Sequence, residues 1–339
     1  MSAYYVTDSE FPKFLSWLQS RGDLYVTTKD EQGRIRFRPY AEAGEFVWPG
    51  VRSFQPLKPM FFSMVEEVAE YPSTESSFKE SKPFAIVGAS ACDVRAIEAL
   101  DRVFLEGDFK DPFYQDRREK SFIVSADCTE PLETCFCVLV GIKPFAEKGF
   151  DINLSRVAGG YVAEVGSDKG KQAIDANREI FKPASDKHLA ERETARRKVL
   201  DAVEKQAKEF KPAKPWRECL AGAFDAEAWA KNVEACVECA ACLFICPTCQ
   251  CFLLYDEKVR DKYKRLKAWD ACAYKRFAQV AGGANPRKRL AERFRHRYYH
   301  KLDYFPTNYG FDGCTGCGRC IVACPGKIDM RKVLKEVCR

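Results

Sequence analysis

One cysteine spacing occurs twice and fixes most of what this chain can become: Cys236-Val-Glu-Cys239-Ala-Ala-Cys242-Leu-Phe-Ile-Cys246-Pro247 and Cys314-Thr-Gly-Cys317-Gly-Arg-Cys320-Ile-Val-Ala-Cys324-Pro325. Each is C-x2-C-x2-C-x3-C-P, the bacterial ferredoxin run, in which three thiolates hold one cubane cluster and the fourth cysteine ligates the other cluster of a pair. That rule assigns Cys236, Cys239, Cys242 and Cys324 to one 4Fe-4S cluster, and Cys314, Cys317, Cys320 and Cys246 to the other. Two-residue steps let a tight loop wrap three corners of a cubane. The fourth cysteine is expected to open a helix, with proline in its first turn where a missing N–H costs nothing. A zinc ribbon would want C-x2-C pairs rather than triple runs.

With 339 residues the chain can build two domains with real cores. Its 17 cysteines cluster at metal spacings. Met1 to Phe14 lacks the basic start and apolar run of a signal peptide. No stretch reaches the roughly 18 apolar residues of a membrane span. The expected compartment is a reducing cytoplasm. The formal charge of +6 counts cysteines as neutral. Each oxidised cubane with four thiolates carries −2, so two clusters bring the balance to about +2 and three to about zero. Much of the basic excess thus balances clusters, which weakens a nucleic-acid reading.

Phe84-Ala-Ile-Val-Gly88 reads as a buried strand, Asp93 to Leu105 as a helix and Phe122-Ile-Val-Ser125 as a second strand, together a β-α-β unit. Tyr161 to Val165 alternates as a further strand. Ser185 to Phe210 is strongly helical with Ser185 or Asp186 as cap, and Lys211-Pro-Ala-Lys-Pro215 breaks it. Asp225 to Glu234 predicts a helix leading into the first run. The long segment between the runs, rich in Lys, Arg, Leu and Ala, predicts more helices. The expected architecture is α+β: an α/β domain over 1–183, a helical linker over 184–215, and an α-helical ferredoxin-like domain over 216–339 binding two 4Fe-4S clusters.

Cys92 and Cys128 follow the two strands, and Cys135-Phe-Cys137 lies in the next loop. Strand ends of open α/β sheets are where sites form, so these four thiols are candidate ligands of a third Fe-S cluster, against a reading as buried structural thiols. Cys249, Cys251 and Cys272 lack an obvious fourth ligand and read as structural thiols; Cys219 and Cys338 read as ordinary ones. The basic stretch Asn285 to Lys301 reads as structural or docking surface rather than a nucleic-acid site. His296 and His300, four apart, lack a third ligand, and His188 lacks a partner. No G-x-G-x-x-G follows a strand. Gly166-Ser-Asp-Lys-Gly-Lys-Gln172 is one residue short of a phosphate loop and reads as a surface turn.

From about Phe61 onward the chain resembles the iron-sulfur subunit family that includes the sulfhydrogenase beta subunit and the anaerobic sulfite reductase A subunit. The segments that carry this are Gly88-Ala-Ser-Ala-Cys92-Asp93-Val-Arg95, Cys128 with Cys135-Phe-Cys137, Gly149-Phe-Asp151, Cys246-Pro-Thr-Cys249, Trp269-Asp-Ala-Cys272, Asn285-Pro-Arg287 and the second run. The resemblance implies a cytoplasmic electron-transfer subunit of a hetero-oligomeric anaerobic oxidoreductase. Such a subunit relays electrons between an FAD-containing NAD(P)H-oxidoreductase subunit and a nickel-iron hydrogenase or a sulfite or heterodisulfide reductase partner. It also favours a cluster at Cys92, Cys128, Cys135 and Cys137. The rival expectation is a catalytic subunit, with a cysteine-ligated metal site at the N-terminal thiols or at Cys249, Cys251 and Cys272 reducing a small sulfur compound.

Overall fold

The computed structural model describes residues 2–72 and 78–338. Among the described residues nine strands lie within positions 3–183: β1 (Ala3–Thr7), β2 (Asp23–Lys29), β3 (Ile35–Pro39), β4 (Val65–Tyr71), β5 (Phe84–Ala89), β6 (Ser121–Ala126), β7 (Ile152–Val157), β8 (Gly160–Val165) and β9 (Lys182–Pro183). All but β4 form one sheet in the order β3-β2-β5-β6-β7-β8-β1-β9. Its centre, β2-β5-β6-β7, is parallel.

The expected β-α-β unit is present. β5 and β6 pair in parallel, Phe84 against Ser121 through Val87 against Val124, and the helix Ala91–Phe104 joins their ends. Both strands are near-continuous apolar runs because both sheet faces are covered. Val87 and Val124 face the layer holding Phe14, Leu15 and Leu18 of the helix Phe11–Gln19. Their neighbours Ile86 and Ile123 face Val94, Ile97 and Leu100, as the two-residue strand period requires.

The helix Asp186–Ala207 starts at Ser185, whose side chain accepts from His188 N–H while the His188 ring accepts from Ser185 N–H. It straps the end of β6: Arg196 pairs with buried Asp127 at 2.7 Å, and Gln206 Nε2 donates to the carbonyls of Leu132 and Cys135. Ser167 caps a second helix, Asp168–Asp175, so the Gly166–Gln172 segment is a helix start rather than a surface turn.

The C-terminal part packs Ala228–Val233, Leu290–Tyr299 and Met330–Val337 around Trp229, Tyr298, Leu302, Val333 and Leu334. Between the cysteine runs the structure departs from expectation. Instead of helices alone, β10 (Phe252–Val259) and β11 (Lys262–Trp269) form a hairpin, and β11 adds β4 as a third strand. The two-residue turn has Arg260 at φ 57°, the positive φ that tight hairpins need. Lys262, Lys264 and Lys267 pair across to Glu70, Glu67 and Glu66 at 2.6, 2.7 and 2.7 Å, so their residue type serves cross-strand pairing rather than a helix surface. Among the described residues no helix is long and apolar enough to cross a membrane.

Candidate iron-sulfur sites

The two cysteine runs share one backbone shape. Glu238 and Ala240 in the first run hold φ of 53° and 57°, and Gly316 and Gly318 at the matching places in the second hold 60° and 69°. Each run then makes a short helix, Ala241–Phe244 or Arg319–Val322, that contains its third cysteine. The fourth cysteine follows in a turn with its proline. The expectation that the fourth cysteine opens a helix is therefore corrected: a left-handed residue before each short helix has already set the chain direction.

Cys236, Cys239, Cys242 and Cys324, far apart in sequence, line one cavity, and Arg297 lines it with them. Arg297 is 8% exposed, and its Nε has no partner among the described residues. Burial works against its charge, while the thiols of Cys242, Cys320 and Cys246 around it hold that charge in place. A desolvated guanidinium with no carboxylate beside it suits an anionic, thiolate-ligated group. Ile328 N–H points at Cys324 Sγ at 3.4 Å.

The second set gathers alongside. Cys320 has Cys317, Cys246 and Cys242 as thiol neighbours, and burial pushes its own thiol up to about 11. Cys314 is also raised by burial, against the pull of Lys301, and faces Cys246 and Cys320. Lys301 Nζ, 2% exposed, donates to Cys246 Sγ at 3.3 Å, to Thr248 Oγ1 at 2.9 Å and to the Gly313 carbonyl at 3.1 Å. Thiols raised in this way stay protonated until a metal displaces the proton. Among the described residues no three His, Cys, Asp or Glu side chains converge on a single-ion position; the thiols ring cavities instead.

Cys92, Cys128, Cys135 and Cys137 also line one cavity, together with Arg52 and Cys317. Cys92 sits in the first turn after β5, its sulfur 3.2 Å from Ser90 Oγ. Cys128 follows β6, its N–H donating to the Pro144 carbonyl at 2.9 Å. Burial raises Cys128 well above the ordinary thiol range, with Cys92, Cys135 and Cys137 adding to it; burial likewise pushes Cys137 up to about 12.

This cavity is fastened to the second run. Phe136 N–H donates to the Gly316 carbonyl at 2.8 Å, and a Cβ at Gly316 would stand 2.5 Å from Cys137 Cα. Arg319 pairs with Asp93 at 2.7 Å, both fully buried. Arg52 Nε donates to the Cys317 carbonyl, leaving Arg52 Nη2 and Arg319 Nη1 buried without partners among the described residues.

Residues 235–328, spanning both runs and the hairpin between them, match the 4Fe-4S dicluster domain family. The whole chain is 34% identical over 332 residues to sulfhydrogenase 2 subunit beta of Pyrococcus furiosus, covering 96% of each chain. The chain belongs to the sulfhydrogenase beta-subunit family. As a sulfhydrogenase beta-type chain it is a 4Fe-4S, electron-transfer protein related to the hydrogenase oxidoreductases.

In this sulfhydrogenase beta-type chain the buried cations are what sequence reasoning passed over. Arg293, Arg297 and Lys301, spaced i, i+4 and i+8, are all buried, so the basic stretch turns one face inward to the thiols; that spacing was the available signal. Lys58, Arg52 and Arg319 carried no comparable signal, being placed by distant packing. His296 lies 3.0 Å from Arg287 Nη1 and its ring is 6.1 Å from that of His300, while His188 stacks on Tyr5. Cys338 faces Cys219 and is pushed up to about 12 by burial and by that neighbour.

Proposed function

We propose that this chain is the electron-relay subunit of a cytoplasmic, hetero-oligomeric oxidoreductase, carrying electrons between an FAD-containing NAD(P)H-oxidoreductase subunit and hydrogenase or sulfur-reducing subunits. Cys236, Cys239, Cys242 and Cys324 would hold one 4Fe-4S cluster, Cys314, Cys317, Cys320 and Cys246 a second, and Cys92, Cys128, Cys135 and Cys137 a third. In this reading residues 1–183 carry the sheet and its thiol set, 184–215 the strap, and 216–339 the ferredoxin-type pair.

The observation that carries the reading is an unbroken succession of thiols. Cys92, Cys135 and Cys137 each have the Cys317 thiol as a neighbour, and Cys320 in turn has Cys317, Cys246 and Cys242. Cys317 of the second set also lines the N-terminal cavity and Cys320 lines the first-run cavity, so each set borders the next. A bound cubane supplies one-electron storage at a potential set by charge, hydrogen bonds to sulfur and burial. The chain's own part is to set those conditions. Lys301 and Arg297 favour the more anionic, reduced state of whatever the thiols hold. The packing around Cys246, Cys314 and Cys317, all buried, keeps water from the middle of the succession. Cys239 is exposed and Val237 near it is 67% exposed, which supports a partner approaching at that end of the proposed path.

The test is anaerobic purification of the native protein followed by mass spectrometry of everything that accompanies it. A flavin subunit together with a hydrogenase or reductase chain supports the relay and names its acceptor. A chain that arrives alone and turns over a sulfur substrate with an artificial donor contradicts it.

A further inference from the structure

The strands of the sheet β10-β11-β4 carry no cysteine, although the base of the hairpin brings Cys251 and Cys272 within thiol hydrogen-bonding reach. The outer strand of this sheet is open. β10 pairs with β11 along its whole length, Phe252 against Trp269 through Val259 against Lys262, and among the described residues no strand pairs with its other side. Every residue of β10 is exposed. An edge of this kind leaves the N–H and C=O groups of alternate residues pointing into solvent, and native proteins blunt such edges with short strands, charges or proline. β10 does the reverse over its first half, where Phe252-Leu253-Leu254-Tyr255 is an unbroken hydrophobic run.

Successive side chains of a strand point to opposite faces, so this run puts apolar groups on both. On one face the Phe252 and Phe62 ring centroids are 6.5 Å apart. On the other, Leu253 heads a row with Ala268 and Val65, its register partners across the sheet; Leu253 is 52% exposed and Val65 58%. Of the sixteen large hydrophobic side chains exposed among the described residues, eight lie on these three strands. Such a concentration marks an interaction surface, where single exposed residues would mean nothing.

A row of open backbone groups is answered by another strand. A second copy of this chain does not supply it. Run antiparallel along the whole strand, it sets Phe252–Tyr255 against Asp256–Val259, hydrophobic residues against charged ones. Run parallel in register, it sets Glu257 on Glu257 and Lys258 on Lys258, and like charges directly opposite destabilise a sheet. Asp256 is already held by Arg265 through two bonds of 2.8 and 2.9 Å, which leaves Glu257 and Lys258 as the charges an added strand meets. The edge also lies beside the proposed electron path: Trp269, across from Phe252, stacks on Phe244 at 6.4 Å, and Phe244 belongs to the short helix that contains Cys242.

We propose that β10 is a strand-addition site, at which an extended segment of another subunit of the complex joins this sheet as a fourth strand. That segment is hydrophobic on both faces opposite Phe252–Tyr255 and carries a cation and an anion opposite Glu257 and Lys258. The inference deepens the hetero-oligomeric reading above, on which it rests, and anchors the partner at the first-run end of the path.

The test is hydrogen-exchange mass spectrometry, resolved to single amides, on the anaerobically purified wild-type complex, together with the subunit composition obtained with the Leu253→Lys/Leu254→Lys double variant. Both leucines are about half exposed, at 52% and 50%, so lysines there reach solvent without disturbing a core. Protection at successive amides of 252–259, and a double variant that keeps its iron but loses an accompanying subunit, are the expected results. Free exchange at every second β10 amide in a complex that still holds its other subunits overturns the strand addition and leaves the hetero-oligomer standing. A wild-type chain that comes alone with the same open edge contradicts both. A double variant that retains every subunit also overturns the proposal, as does a carbodiimide link between Glu257 of one copy and Lys258 of another in a preparation mixed from heavy- and light-isotope chains. Should the double variant lose its iron, the exchange pattern of the wild-type complex decides.

Discussion

Gly316 and Glu238 occupy matching places in the two cysteine runs and share a left-handed backbone, yet only one of them has room for a side chain. The second run lies under the Cys135–Cys137 loop, so its left-handed positions must be glycine; the first run is open there and tolerates Glu238, which pairs with Arg293 at 2.6 Å. Gly316→Ala adds a Cβ 2.5 Å from Cys137 Cα to a backbone that L-residues adopt at a cost of about 1–2 kcal/mol. The variant should lose at least about 3 kcal/mol of stability once the clash is included, read from thermal unfolding. A separate residue-scale prediction concerns His296 and His300, both lowered to about 4, chiefly by burial. A histidine whose folded pKa lies below its unfolded value contributes stability that is whole above about pH 6.5 and is lost as pH falls towards 4. His300→Gln should flatten that part of the pH–stability profile by on the order of 2 kcal/mol; an unchanged acid limb would refute the assignment.

At the scale of elements, the first turn of the helix after β5 and the short helix of the second run are joined by the Arg319–Asp93 pair. Removing one partner of a buried pair strands the other, so Arg319→Met should cost about 3–5 kcal/mol. Lysine should not rescue it, because the guanidinium also donates to the Ser53 and Phe54 carbonyls at 3.1 and 3.3 Å; chemical denaturation of the two variants checks both statements. Elements of this kind differ in how far the sequence discloses them. The strand Phe84–Ala89, the helix after it and the Ser185 cap rest on local signals, apolar period and capping chemistry, and were legible. The β10–β11 hairpin was not, because its strand character depends on β4, a partner almost two hundred positions away, and its lysines suit a helix surface equally well. The cysteine sets divide in the same way. The ferredoxin-type runs announce themselves by spacing, the cavity shared by Cys92, Cys128, Cys135 and Cys137 was suggested by strand ends, and the closure of Cys251 on Cys272 needed the hairpin.

Across the whole molecule, thiols run from the C-terminal ends of β5 and β6 through the second run to the first, and buried cations accompany them: Arg52 and Arg319 at the N-terminal cavity, Lys301 at the second run and Arg297 at the first. A unit charge about 6–8 Å from the centre of a cluster, at an effective dielectric near 20, is worth roughly 2–3 kcal/mol, on the order of 100 mV for one electron. Lys301→Met removes a charge that favours the added electron, so the reduction potential of the centre at Cys246 and Cys314 should fall by about that amount in a redox titration. A rise, or no shift, would show that the lysine does not face a redox centre. The central claim, that these thiol sets form one continuous path of clusters, is tested most directly by electron paramagnetic resonance of the anaerobic protein after full reduction. The account predicts a spectrum broadened by magnetic coupling between neighbouring centres, which simplifies when Cys317→Ser breaks the middle of the path. A spectrum of isolated, uncoupled centres in the wild-type protein, or one that Cys317→Ser leaves unchanged, would contradict it.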